Sequence, residues 1–395
     1  VTSQRNGGSA PEKTTLLGVV LMGVALLRPL YAFKENRVAL GEPVTLFETG
    51  VPFGVIAVCV LVLLAGILAF APQTTRVRWA KIAAGLLLFS SLLITLAVSG
   101  SAAVAGTEFA RVTPSTGFWL GVLASFVLIQ GSLHGADVRY SAKIAVGLIP
   151  FLVTFVPAIA GMLDSLAPMQ EYYNRESRFV SELGTHLWLS AAAVLGATVI
   201  GVPLGVVAYR RKAAERPVFA LINGIQTVPS LALFGLMIAP LAFLSREFPL
   251  LRAVGIRGIG NAPALIALTL YALLPIVRNA YTSLAVIQGS VVEAGKGMGM
   301  SRTQMLRYVE VPIAVPIILS GIRVSTVQAI GNTAVAALIG AGGLGAFVFQ
   351  GIGQGAPDLV VMGVLPIVLL SVFVDRGLAI LISALSPTGL REAPT

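Results

Sequence analysis

Long apolar runs broken by short polar or basic segments organise this chain from end to end. Candidate membrane spans fall at 14–32, 51–71, 81–99, 117–133 and 144–163, then at 186–209, 218–244, 262–277, 313–339 and 359–382. Apolar runs of this kind suit helices crossing roughly 30 Å of hydrocarbon. The pattern predicts an all-α polytopic membrane protein with about ten transmembrane helices. The first run, 16–27, imitates a secretion signal but is read as a retained span, because Arg28 and Pro29 follow it instead of a small-residue cleavage site. A polar segment at 164–185 divides the spans into two groups of five. The expected organisation is therefore an N-terminal group (1–163), an external linker (164–185), a second bundle (186–383) and a cytoplasmic tail (384–395).

Composition agrees. Of 395 residues, 56% are hydrophobic and 11% charged, and the mean hydropathy is +0.90, which excludes an ordinary soluble domain. The net charge of +10 does not point to nucleic acid, because the basic residues sit in short clusters beside apolar runs, where they set topology. With the N-terminus inside, the inward segments hold the denser clusters, such as Arg210, Arg211, Lys212 and Arg216, or Arg278, Lys296, Arg302 and Arg307. Both termini are thus expected on the cytoplasmic face. Cys59 is the only cysteine and lies in an apolar run, so no intramolecular disulfide can form.

One polar and basic interlude stands out between two long runs: EAGKGMGMSRTQMLRYVEVP, residues 293–312. Glu293 and the small residues Ala294, Gly295, Gly297 and Gly299 suit a short helix and tight turn open to close approach by another surface. From Met300 to Tyr308, Arg302, Gln304 and Arg307 alternate with Met305 and Leu306, as in a helix lying along the membrane face. Pro312 suits the first turn of the next span, where its missing N–H is not needed. The spacing resembles the EAA signature of ABC importer permeases: Glu-Ala-Ala, three residues, Gly, nine residues, then Ile-x-Leu-Pro. Gly295 stands where that pattern has its second Ala, and Val309 and Val311 replace Ile and Leu.

The second half resembles one class of these permeases more closely, those for glycine betaine, carnitine and choline. The stretches that carry this are GVPLGVVAYR (201–210), QTVPSLALFGLM (226–237), GIGNAPALIALTLYALLPIVRNAYTSL (258–284) and GIRVSTVQAIGNTAVAALIGAGGLG (321–345). The resemblance implies a five-helix type I importer core in the inner membrane, paired with a second permease copy or homologue. It further implies an ABC ATP-binding subunit that carries ATP-Mg, and a periplasmic or lipid-anchored solute-binding protein. Glu293, Ala294, Gly295, Gly299, Met300, Arg302 and Pro312 would then couple ATPase motion to alternating access. The first five spans exceed the usual number of extra helices in this class and carry no motif; a scaffold is the plain expectation for them.

Nothing in the chain supplies its own ATPase site, because Gly295-Lys296-Gly297 lacks the surroundings of a Walker A loop. No metal or cofactor is expected: His134 and His186 each stand alone at the end of an apolar run. Asp375-Arg376 reads as a helix-end ion pair. Polar residues within spans tend to face protein or water, which nominates Asn223, Gln226, Thr227 and Ser230 around Pro229, together with Tyr271, Arg323, Gln328, Asn332 and Thr333, as pathway candidates. Arg323 lies eleven residues beyond Pro312, roughly 16 Å into the membrane. It could meet a solute carboxylate or pin a neighbouring helix. The glycine-rich run 340–345 suits close packing or a hinge at the outer mouth. No aromatic cluster in the core forms a cation–π cage, which leaves selectivity to a separate binding protein. The alternatives are a permease for another amine or amino acid, and an ion-coupled secondary transporter.

Overall fold

The computed structural model describes residues 12–37, 39–107, 109–134, 140–253, 255–287 and 289–386. The leader through Pro11, the side chain of His134, Arg139 and Lys143, and the tail from Pro387 lie outside the described residues. The chain divides into two units, 1–174 and 175–395.

In the first unit, α1 (Lys13–Leu26), α2 (Pro52–Ala69), α3 (Thr75–Val104) and α4 (Thr116–His134) pack as a bundle, with α5 (Tyr140–Ile159) beside it and a short α6 (Ala167–Tyr173). The core is aliphatic and aromatic, centred on Met22, Leu88, Leu96, Phe118 and Leu128. The all-α expectation misses a small antiparallel sheet, ordered β2-β1-β3, formed by β1 (Pro29–Lys34), β2 (Glu42–Thr45) and β3 (Arg111–Pro114). It caps the end of the bundle where α1 and α3 finish and α2 and α4 begin. Its prolines stand where no central ladder N–H is lost: Pro29 opens its strand, and Pro43 and Pro114 lie on edge strands. Strands this short, in the connections between apolar runs, leave little hydropathic trace.

An ionic cluster fastens this cap. Glu171 of α6 is buried, and its Oε1 accepts from Arg37 Nε at 2.8 Å and Arg111 Nη1 at 2.9 Å. Gln170 donates to the Ala110 carbonyl at 3.2 Å. Replacing Glu171 with leucine strands the buried Arg111 guanidinium, an effect of roughly 3–5 kcal/mol. The expected result is a markedly lower thermal midpoint for the detergent-solubilised chain; an unchanged midpoint would contradict this role. At the other end of the bundle, the buried Lys81 Nζ donates to Glu12 Oε2 at 2.6 Å and Gln73 Oε1 at 3.1 Å. Burial presses the Glu12 carboxyl upward, but the hydrogen bonds from Lys81 and Thr15 outweigh it and hold Glu12 below its ordinary range.

The second unit comprises α7 (Glu176–Arg210), α8 (Lys212–Thr227), α9 (Ser230–Glu247), α10 (Pro249–Ala253), α11 (Asn261–Ala285), α12 (Gly289–Gly297), α13 (Arg302–Met305), α14 (Val311–Ala336), α15 (Gly345–Gln354) and α16 (Pro357–Leu385). Helix α11 lies at its centre, packed on α7, α14, α8 and α9. Small residues allow these approaches: a Cβ on Gly205 would stand 2.6 Å from the Val277 carbonyl oxygen. Across the described residues, eight helices are long and apolar enough to cross a membrane. The first expected span is the shorter apolar helix α1 (Lys13–Leu26), and the one expected at 144–163 falls on α5, which is apolar over Ala145–Ile159. The expected span at 218–244 breaks into α8 and α9 at Val228 and Pro229. The stretch read as a linker, 164–185, is largely helical: Pro168 supports the first turn of α6, and α7 already begins at Glu176.

Candidate functional site

Helix α12 ends in a turn that its glycine dictates. Gly299 has φ +75°, its N–H donates to the Lys296 carbonyl at 2.9 Å, and the Met300 N–H reaches back to the Gly295 carbonyl at 3.0 Å. This pair of bonds is a Schellman stop, which needs a left-handed residue at the position of Gly299. After it, Ser301 caps α13 by accepting from the Gln304 N–H, and the Gln304 side chain returns a bond to the Ser301 N–H. A π-helical turn, Leu306–Glu310, then runs directly into α14, whose first turn holds Pro312. The expected membrane-surface helix is therefore one short turn of α-helix continuous with the following span.

Gly295 is buried inside this hairpin. A Cβ there would meet Met305 Cε at 2.2 Å, so its small size serves packing of α12 on α13 within the chain. Glu293, Ala294, Gly299 and Arg302 are exposed and Met300 is half-buried. Met298 is 72% exposed, Tyr308 64% and Leu306 45%, and Glu293, Arg302 and Arg307 of the same segment are exposed as well. Beside it, Arg210 at the end of α7 donates to Glu310 Oε2 at 2.9 Å and shares with Arg302, Thr303, Leu306 and Glu310 a groove of about 360 Å³.

Two proline defects meet in the middle of the bundle. Pro275 has no N–H, which leaves the carbonyl of Tyr271, four residues earlier, without its helical donor. The Gln226 side-chain amide supplies one at 2.7 Å. In return the Tyr271 hydroxyl donates to the carbonyl of Val228, beside Pro229 at the α8–α9 break. Tyr271 is thus held by its hydroxyl at the break, and its ring is buried. Thr227 donates to the Gly224 carbonyl and Thr333 to the Ala329 carbonyl, both within their own helices, at 2.7 Å each. Asn223 and Thr227 are exposed, whereas Ser230, Gln328 and Asn332 are half-buried.

Arg323 meets a carboxylate of this chain: Nε and Nη2 donate to Asp375 Oδ1 and Oδ2 at 2.7 and 2.8 Å. Asp375 does not end its helix, because α16 continues for ten residues to Leu385. At the opposite end of α14, the glycine-rich run makes a turn with positive φ at Gly340, Gly342 and Gly343. The Gly343 N–H donates to Glu182 of α7 at 2.6 Å, and a Cβ on Gly345 would lie 1.8 Å from the Ala334 carbonyl oxygen. His186 is buried, not interfacial, with Nε2 3.0 Å from the Ile330 carbonyl oxygen. Sequence reading paired Asp375 with Arg376, whose Nε lies 4.0 Å from Asp375 Oδ2, but not with Arg323, and it missed Pro275 and Glu182. Only Pro275 carried a signal, a proline inside an otherwise helical run.

A bundle of membrane-length helices that displays a capped helix-turn-helix between two of its spans has the architecture of an integral membrane protein. The chain belongs to the family described as binding-protein-dependent transport system inner membrane components, whose model matches residues 197–386. A second model, for the N-terminal domain of the ABC transporter permease YehY, matches residues 11–169. The osmoprotectant import permease protein OsmW of Salmonella typhimurium is 46% identical over 52% of this chain and 91% of its own length. The glycine betaine/carnitine/choline transport system permease protein OpuCB of Bacillus subtilis is 38% identical over 53% of this chain and 88% of its own. The choline transport system permease protein OpuBB of the same organism is 37% identical over 52% of this chain and 88% of its own. The chain is thus a multi-pass inner-membrane permease component that works with an ATPase and a solute-binding protein.

Proposed function

We propose that this permease takes up glycine betaine or a related quaternary-amine solute, and that segment 293–312 is where its ATPase docks. The docking reading rests on the exposed apolar surface of Met298, Leu306 and Tyr308, displayed by a rigidly capped turn. An apolar patch on a polar, charged segment marks a partner site. Because the π turn runs without a break into α14, a displacement of the docked segment enters the bundle along that helix. The substrate class is that named for the three relatives. Selectivity sits mainly on a periplasmic or lipid-anchored binding protein, the permease works as a pair with a second copy or homologue, and both termini face the cytoplasm.

The test is purification of the tagged chain from its native membrane, mass spectrometry of what accompanies it, and uptake of labelled glycine betaine, choline and carnitine by cells expressing the system. An ATPase and a binding protein in the eluate, with ATP-dependent uptake of one of these solutes, are the expected results. Uptake confined to an amino acid would replace the substrate. A correctly inserted chain that elutes alone and follows an ion gradient would overturn the coupling reading.

A further inference from the structure

The Arg323–Asp375 pair joins two spans far from either helix end. Arg323 lies twelve residues beyond Val311, roughly 18 Å along α14, and Asp375 lies ten residues, roughly 15 Å, short of the end of α16. Among the described residues, no other ion pair links the interiors of two spans. The bond is a two-point fork, which fixes angle as well as distance. Next to it, α14 is also locked to α11. A Cβ on Gly321 would stand 2.7 Å from the Pro275 carbonyl oxygen, and Ser325 Oγ donates to the Ala272 carbonyl at 2.7 Å. Positions 321 and 325 thus hold α11, while position 323 between them holds α16. The segment that feeds α14 is the docking turn itself.

We infer that Asp375 is a positioning residue of the transport cycle: by holding Arg323 it makes α16 follow α14, so that displacement entering from segment 293–312 reaches the last span. This rests on the coupling role proposed above. Aliphatic contacts between α14 and α16 can slide past one another, whereas a half-buried bidentate ion pair between the two helices resists both sliding and rotation. It also satisfies two charges that hydrocarbon would otherwise penalise.

The test uses the complete transporter in proteoliposomes, with uptake and ATP hydrolysis measured on the same preparation. Asp375→Asn is expected to lower solute moved per ATP hydrolysed by about threefold or more while hydrolysis persists, the scale on which lost coupling contacts act. The exchanged pair, Arg323→Asp with Asp375→Arg, is expected to recover most of the ratio. A purely structural role predicts that uptake and hydrolysis fall together, in step with the yield of folded complex. That result, or an unchanged ratio in Asp375→Asn, would overturn the inference. Should Asp375→Asn not fold, Arg323→Lys keeps the charge but loses the fork; a lowered ratio supports the inference and a wild-type ratio refutes it. Wild-type proteoliposomes without ATP-driven uptake would sink the import reading as well, so the two failures are distinguishable.

Discussion

Gly299→Val is expected to abolish ATP-dependent uptake in a chain that still inserts into the membrane at near-normal levels. No heavy atom lies within 4 Å of the position a Cβ would take, so steric exclusion by neighbours is not the reason. The backbone is. At φ +75° any L-residue bears roughly 1–2 kcal/mol relative to glycine, and a β-branched one more. The cheapest relief is to leave the left-handed region, which breaks the bonds from Gly299 and Met300 back to α12 and swings α13 away. Met305 then leaves Gly295, and Met298 loses its fixed place relative to Leu306 and Tyr308. Asparagine, which tolerates this conformation, is expected to retain most of the uptake. Gly295→Ala is also expected to be mild, because the atom it meets is the mobile end of Met305, and alanine occupies this place in the EAA pattern. Uptake and recovery of the ATPase with the tagged chain would be measured for all three variants. Wild-type recovery of the ATPase with Gly299→Val would remove the turn from the docking argument.

What the sequence made legible was what short-range rules govern. The turn at Gly299 and the entry of Pro312 into its helix depend on residues within one or two turns, so spacing alone announced them. Spans were legible as apolar runs, but the run 218–244 was read as one span, with Pro229 the only sign in it of the break between α8 and α9. Asp375 was misread because a charge near the end of an apolar run looks like a helix end, whereas its partner Arg323 lies 52 residues away on another span. Glu171 is similar: its two arginines are 60 and 134 residues distant, and the sheet it fastens is built from short strands in two separate connections. Arg323, nominated either to meet a solute carboxylate or to pin a neighbouring helix, has its fork closed on a carboxylate of α16. Gln226 and Tyr271 were nominated for their polarity, and that polarity is engaged with the backbone carbonyls that two prolines expose.

That last arrangement makes a sharp expectation. Gln226→Leu leaves the Tyr271 carbonyl without a donor in a region where water is scarce, an effect of roughly 1–3 kcal/mol. Tyr271→Phe removes a single side-chain bond from the Val228 carbonyl and is expected to be milder, on the order of 0.6 kcal/mol. The distinguishing variant is Pro275→Ala. It returns an N–H to α11 four residues after Tyr271, so the orphaned carbonyl regains a helical partner and the Gln226 amide becomes dispensable. Thermal unfolding of the detergent-solubilised chain should therefore show Gln226→Leu destabilising the wild type but nearly neutral beside Pro275→Ala. Equal destabilisation in both backgrounds would mean that Gln226 acts through packing, and the clasp between the two breaks would have to be abandoned. If the prolines serve movement, the Pro275→Ala chain should be at least as stable as the wild type and transport more slowly. An α11 with every backbone bond in place resists the bending that the missing bond at Pro275 permits. Stability and uptake moving in opposite directions would separate a mobile joint from a merely tolerated defect.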